Sequence, residues 1–132
     1  MGEPNLCLDG FDLLAAAYFD NRRMTFAFDT GAVTSTFYPR FFEAEKQRIL
    51  KFSKLEKMKI GGAGGAIDVN AYSFSNLDLT IAGKKARIAK AKIIAEAVND
   101  ESRYFYGNLG QDLIKQFASM TLDFKSMRII FE

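Results

Sequence analysis

Turn signals punctuate this chain at short intervals and so limit it to short elements. Asp9-Gly10, Asp20-Asn21, the Gly61–Gly65 cluster, Ala82-Gly83, Asn99-Asp100 and Lys125-Ser126 each interrupt an apolar or alternating run. Gly, Asn and Asp supply the backbone conformations of tight turns, and short alternating runs between such turns are strands. A mostly β domain is therefore expected over residues 1–132, a length that suits one core. The span would equally suit a domain excised from a longer parent.

Residues 11–19 read as a strand, Asp20-Asn21 as a turn and Met24–Phe28 as the returning strand of a β-hairpin. Residues 39–52 predict a helix. Pro39 suits its first position, Glu43 and Glu45 lie early, and Phe42, Ile49 and Phe52 can share one face. Residues 57–60 and 66–74 flank the glycine cluster as two strands, and 77–81 and 86–94 predict two more. Leu113, Ile114 and Phe117 have helical spacing within 111–117, and Met120–Phe124 with Arg128–Phe131 alternate as a closing hairpin.

Composition removes several function classes. The net charge of +2 creates no field that would draw nucleic acid or an anionic membrane, so neither is expected as a partner. No run reaches the ~18 apolar residues of a membrane-spanning helix. The single cysteine, Cys7, excludes an internal disulfide and any CxxC site, and its setting in "NLCL" predicts a buried strand thiol. The basic run 83–92 lacks the interleaved aromatics of a nucleic-acid surface and reads as a solvated strand face. Glu43, Glu45 and Lys46 likewise read as an exposed helical face.

The chain has no histidine. Ser-His and Cys-His nucleophile pairs, an HExxH zinc site and a histidine general base are thereby excluded. No metal or cofactor is implied. In a hydrolase of this composition, carboxylates or lysines must carry the proton transfers.

One carboxylate is conspicuous by position. The apolar run Phe26-Ala27-Phe28 ends at Asp29, followed at once by Thr30, Gly31 and Ala32. Asp and Gly are good turn formers, so a plain turn after a strand is one reading. The other is a carboxylate held where backbone amides can approach closely and hydrogen-bond to it.

With "DTGA" at 29–32 behind an apolar strand, the sequence resembles the retropepsin-like aspartic proteases. Two further stretches fit that family in order. The glycine cluster in "KMKIGGAGGAIDVNAY" (57–72) is flanked by alternation on both sides, unlike a linker, and opens onto a strand rather than a helix, unlike a phosphate loop. It is similar to the family's flap, a hairpin that closes over substrate. In 104–124, Leu109-Gly110-Gln111-Asp112-Leu113-Ile114 and Thr121-Leu122-Asp123-Phe124 fit the family's later pattern, with Asn108 departing where a second apolar residue is usual.

The resemblance covers nearly the whole chain and implies an all-β, closed antiparallel barrel with one or two short helices. It also implies an aspartic peptidase acting on a peptide or protein substrate. Because the chain holds one DTG, it implies a homodimer pairing Asp29 with its copy. Thr30 would then hydrogen-bond across the dimer and Gly31 would leave room for that contact. Ala32, Gly62, Ala63, Gly64 and Gly65 would face substrate, the last four as a mobile flap that orders on binding. Ala32 puts a methyl where pepsin-like lobes carry a hydroxyl. The competing reading is a monomeric retropepsin-like peptide-binding or interaction module of weak or no activity, which Asn108 and the small flap tip favour. Oligomeric state separates the two.

Overall fold

The computed structural model describes residues 4–10, 12–62, 65–96 and 104–132. Most of them lie in strands. The first hairpin forms as its sequence requires, from β2 (Asp12–Phe19) and β3 (Arg22–Phe28). Asp20 and Asn21 both take positive φ, 49° and 65°. That left-handed pair gives a two-residue turn whose twist matches the strands it joins. Register runs from Phe19↔Arg22 to Leu14↔Ala27, and Met24, Phe26 and Phe28 are buried on the inward side.

Ahead of the hairpin, β1 (Leu6–Asp9) pairs with β2 and forms one edge of the sheet. Leu6 takes the inward position, which leaves Cys7 exposed rather than buried as its apolar neighbours implied. Alternation on an edge strand decided against the thiol.

The helix predicted over 39–52 is two helices, α1 (Pro39–Ala44) and α2 (Lys46–Phe52). Pro39 opens the first, as expected. The break is a bend at Glu45 (φ −122°, ψ 26°), across which Glu45 N still donates to Phe41 O and Ile49 N to Glu45 O. The bend keeps Phe41, Phe42 and Ile49 in the core but leaves Phe52 65% exposed, so the predicted shared face is incomplete. Glu43 and Lys46 are exposed, whereas Glu45 is half-buried and ion-paired to Arg22 at 3.7 Å.

A long antiparallel meander follows: β4 (Thr36–Phe37) precedes the helices, then come β5 (Lys54–Gly62), β6 (Gly65–Ile81) and β7 (Lys84–Ile94). The segments predicted as separate strands over 66–74 and 77–81 are one strand. Tyr72 and Phe74 pack on the core before Asn76, and Leu77, Leu79 and Ile81 do so after it. Asn76 has φ 56°, which reverses the face that the strand turns inward. That phase change explains why one strand reads as two. On β7, Lys84, Lys85, Arg87 and Lys90 are exposed, as expected of a solvated face.

The sheet is not wholly antiparallel. The three-residue β8 (Gly107–Leu109) threads between β3 and β4, parallel to the former and antiparallel to the latter, and β4 runs parallel to β7. Gly107 is required there, since a Cβ would lie 2.5 Å from Thr36 O. The order is β1-β2-β3-β8-β4-β7-β6-β5, and β2 also pairs with β6 through Ala17↔Ile81 and Tyr18↔Thr80, so the sheet turns back on itself. The helix α3 (Gln111–Ile114) is shorter than the predicted 111–117, although Phe117 still stacks on Phe131 at 4.2 Å. A separate hairpin, β9 (Met120–Asp123) and β10 (Arg128–Phe131), ends the chain.

Candidate active site

The apolar run Met24-Thr25-Phe26-Ala27-Phe28 delivers Asp29 to the end of β3, beside β8. Asp29 N donates to Leu109 O at 2.9 Å, extending the β3–β8 pairing by one bond. Beyond that point the chain turns. Gly31 N donates to Asp29 Oδ1 at 2.9 Å and Ala32 N to Asp29 O at 3.2 Å. The carboxylate is thus aimed by a backbone amide two residues on. A Cβ at Gly31 would sit 3.3 Å from that same Oδ1.

The loop is held from behind by the start of α3. Gln111 Nε2 donates to Thr30 O at 2.7 Å, Gln111 N to Ala32 O at 2.8 Å and Asp112 N to Val33 O at 3.1 Å. Gly110 lies so close that a Cβ there would be 2.6 Å from Ala32 O. Ser35 closes the loop, buried, with its Oγ accepting from Gly110 N at 3.0 Å and donating to Asp112 Oδ1 at 2.5 Å. In front, the loop is open. Asp29, Thr30, Gly31 and Thr34 are exposed, and Val33 is 76% exposed.

Asp29 lines a groove of about 440 Å³ together with Asp12, Phe28, Tyr38, Phe105 and Asn108. That size suits a side chain or two of a peptide. Thr30, Gly31 and Ala32 adjoin Asp29 in sequence but do not line the groove. Among the described residues, none that line the groove comes from the β5–β6 hairpin. Of the glycine cluster, Gly62 pairs with Gly65 at the far end of that hairpin, while Ala63 and Gly64 lie outside the described residues.

Asp12 and Tyr38 were not singled out by the sequence reading. Asp12 was legible: the Asp20-Asn21 turn sets the hairpin register, and carrying it beyond Leu14↔Ala27 puts Asp12 opposite Asp29. Tyr38 left no such signal, because it reaches the groove only through the fold around β4. Asn108, flagged as a departure, pairs with both Ala27 and Thr36 and faces the same groove. An apolar residue there would put hydrocarbon where the groove has an amide.

No family model matches the sequence, and no curated protein does. Among solved structures the chain is similar to a retropepsin-like aspartic protease from Rickettsia conorii, at 20% identity and a TM-score of 0.60, over 98% of this chain and 99% of that one. The mostly β architecture with few short helices is shared with that protease, and the likeness is one of fold.

Proposed function

We propose that this chain is an aspartic endopeptidase of the retropepsin type, active as a homodimer on peptide or protein substrates. The carrying observation is the placement of Asp29, at the end of an apolar strand, oriented by Gly31 N, on an exposed loop braced from behind. The fold likeness supports the same reading. So does the return pairing of β2 with β6, which we take as the closure of the family's barrel.

In this reading two Asp29 carboxylates face each other across a two-fold axis. Like charges about 3 Å apart cannot both ionise, so the pair shares one proton, a behaviour for which aspartic proteases are the reference case. The ionised member takes a proton from water, whose oxygen attacks the peptide carbonyl carbon. The protonated member donates to the carbonyl oxygen. Collapse of the resulting diol breaks the C–N bond as a proton passes to the amine. Thr30 hydroxyls join the two loops, Gly31 leaves space between them, and the β5–β6 hairpin covers the substrate with the end that the Gly62–Gly65 pairing marks.

The test is peptide-library cleavage with light scattering, run across protein concentration on wild type and Asp29→Asn. Each site needs two chains, so specific activity should rise with concentration until the dimer saturates. Asn keeps an oxygen to accept from Gly31 N but cannot act as base, so cleavage should fall by roughly three orders of magnitude or more with the fold intact. Cleavage by a proven monomer, or by Asp29→Asn within about tenfold of wild type, overturns the proposal.

A further inference from the structure

We propose, resting on the reading of this chain as an aspartic endopeptidase, that Asp12 determines specificity in the groove at Asp29. It selects substrates with a lysine or arginine side chain beside the cleaved bond. The groove holds about 440 Å³, and Asp12, Asp29 and Asn108 all line it. Among the described residues no lysine or arginine does so, and the fixed charge of the lining is negative.

Strand register puts these three polar groups on one face of the sheet. Leu14 of β2 pairs with Ala27 of β3, and Ala27 pairs in turn with Asn108 of β8. Paired residues project to the same side, and so do residues two apart along a strand. Asp12, two before Leu14, therefore shares a face with Asn108 and with Asp29, two after Ala27. Ala27 also lines the groove, and its single methyl leaves room between the larger side chains. On its other side Asp12 pairs with Asp9, so both of its cross-strand neighbours are carboxylates. Among the described residues no ion pair compensates it.

Like charges opposed across a ladder repel, and a cation brought between them is held. Opposed side chains stand about 4.5–5.5 Å apart at Cβ. A lysine or arginine on the residue held at Asp29 spans that gap with its methylenes and brings its cationic head to Asp12. The Asn108 side-chain amide offers an acceptor oxygen on the same face, and Phe105 gives the apolar stem a surface to pack on. A neutral side chain of equal length would leave the Asp12 carboxylate without a partner once substrate excludes water, and an acidic one would be repelled.

The experiment cleaves a mixed peptide library with the full chain and sequences the products by mass spectrometry. Lysine and arginine should be enriched at one fixed position beside the cleaved bond. The best-cleaved peptide is then remade with lysine, norleucine or glutamate at that position. Lysine should exceed norleucine about tenfold or more in kcat/KM, with glutamate the poorest. Asp12→Asn should bring the lysine and norleucine peptides level, and Asp12→Lys should put glutamate ahead of lysine. A merely structural residue would slow all three peptides alike. Should Asp12→Lys fail to fold, the lysine-to-norleucine ratio in Asp12→Asn carries the test. Cleavage without the basic enrichment, or a ratio unmoved by Asp12→Asn, overturns the role of Asp12 and leaves proteolysis standing. No cleavage by a proven dimer overturns the proteolytic reading and this role with it.

Discussion

Ser35 and Asp112 stand 77 residues apart in the chain and are joined by two hydrogen bonds, Ser35 Oγ to Asp112 Oδ1 at 2.5 Å and Ser35 N to Asp112 Oδ2 at 2.8 Å. Through them the far end of the Asp29 loop is fastened to α3. Ser35 is 3% exposed and also receives Gly110 N, so one buried hydroxyl ties three elements together.

Ser35→Ala should therefore destabilise the protein by about 1–3 kcal/mol, the cost of leaving buried partners unsatisfied. Asp112→Asn, which keeps one acceptor oxygen, should lose less than Asp112→Ala. Denaturant midpoints at neutral pH check this. Equal stability of Ser35→Ala and wild type would show that the clasp is not what holds the loop.

Gly110→Ala tests the packing behind the same loop. The backbone at Gly110 is extended (φ −124°, ψ −158°) and accepts any residue, so the obstacle is steric alone. The new Cβ would meet Ala32 O at 2.6 Å and Thr34 O at 3.1 Å. Overpacking of this kind costs about 1–3 kcal/mol. The loop must also shift, and in an active enzyme a displacement near 1 Å would lower turnover on the order of a hundredfold. A variant with unaltered stability and cleavage would mean that the loop has slack.

Ala32→Ser should move the pH profile of cleavage toward acid. A hydroxyl at this position would donate to a carboxylate oxygen of Asp29 and favour its charged form, which lowers the first titration of the pair. Gly110 packs close to Ala32, where a Cβ on Gly110 would lie 3.1 Å from the Ala32 methyl, so the hydroxyl has to fit without displacing that contact. Profiles of kcat/KM for both proteins decide it, and coincident acidic limbs would remove the role given to Ala32.

Stability itself should hold above about pH 5 and fall below about pH 4, because three carboxylates titrate low in the fold. The Lys92 ammonium bonded to Glu56 holds it below its ordinary value of 4.5. The Arg87 guanidinium, at 2.7 and 3.1 Å, holds Asp78 below its ordinary 3.8, and bonds from Ser126 do the same for Asp123. A carboxyl depressed on folding adds stability above its unfolded pKa and loses it as pH falls through the folded one. Asp78 is exposed and Glu56 and Asp123 are partly exposed, so added salt should shrink the effect. Urea midpoints across that range should drop less in the triple variant Glu56→Gln, Asp78→Asn, Asp123→Asn; an identical drop would place the acid sensitivity elsewhere.

Sequence alone determined what depends on a few neighbouring residues. The Asp20-Asn21 turn sets the register of the first hairpin, and that register carries Asp29 to a strand end and Asp12 opposite it. Alternation also marks β9 and β10, and Pro39 marks the start of α1. Turn chemistry and side-chain period act over single residues and survive in any context. Tertiary structure decided the rest. The insertion of β8 between β3 and β4, the bend at Glu45, the exposure of Cys7 and the Ser35–Asp112 clasp have no local signature. Each joins segments tens of residues apart, or depends on which side of a strand the rest of the chain covers, and the closure of such loops is repaid only by packing that forms once the core has assembled.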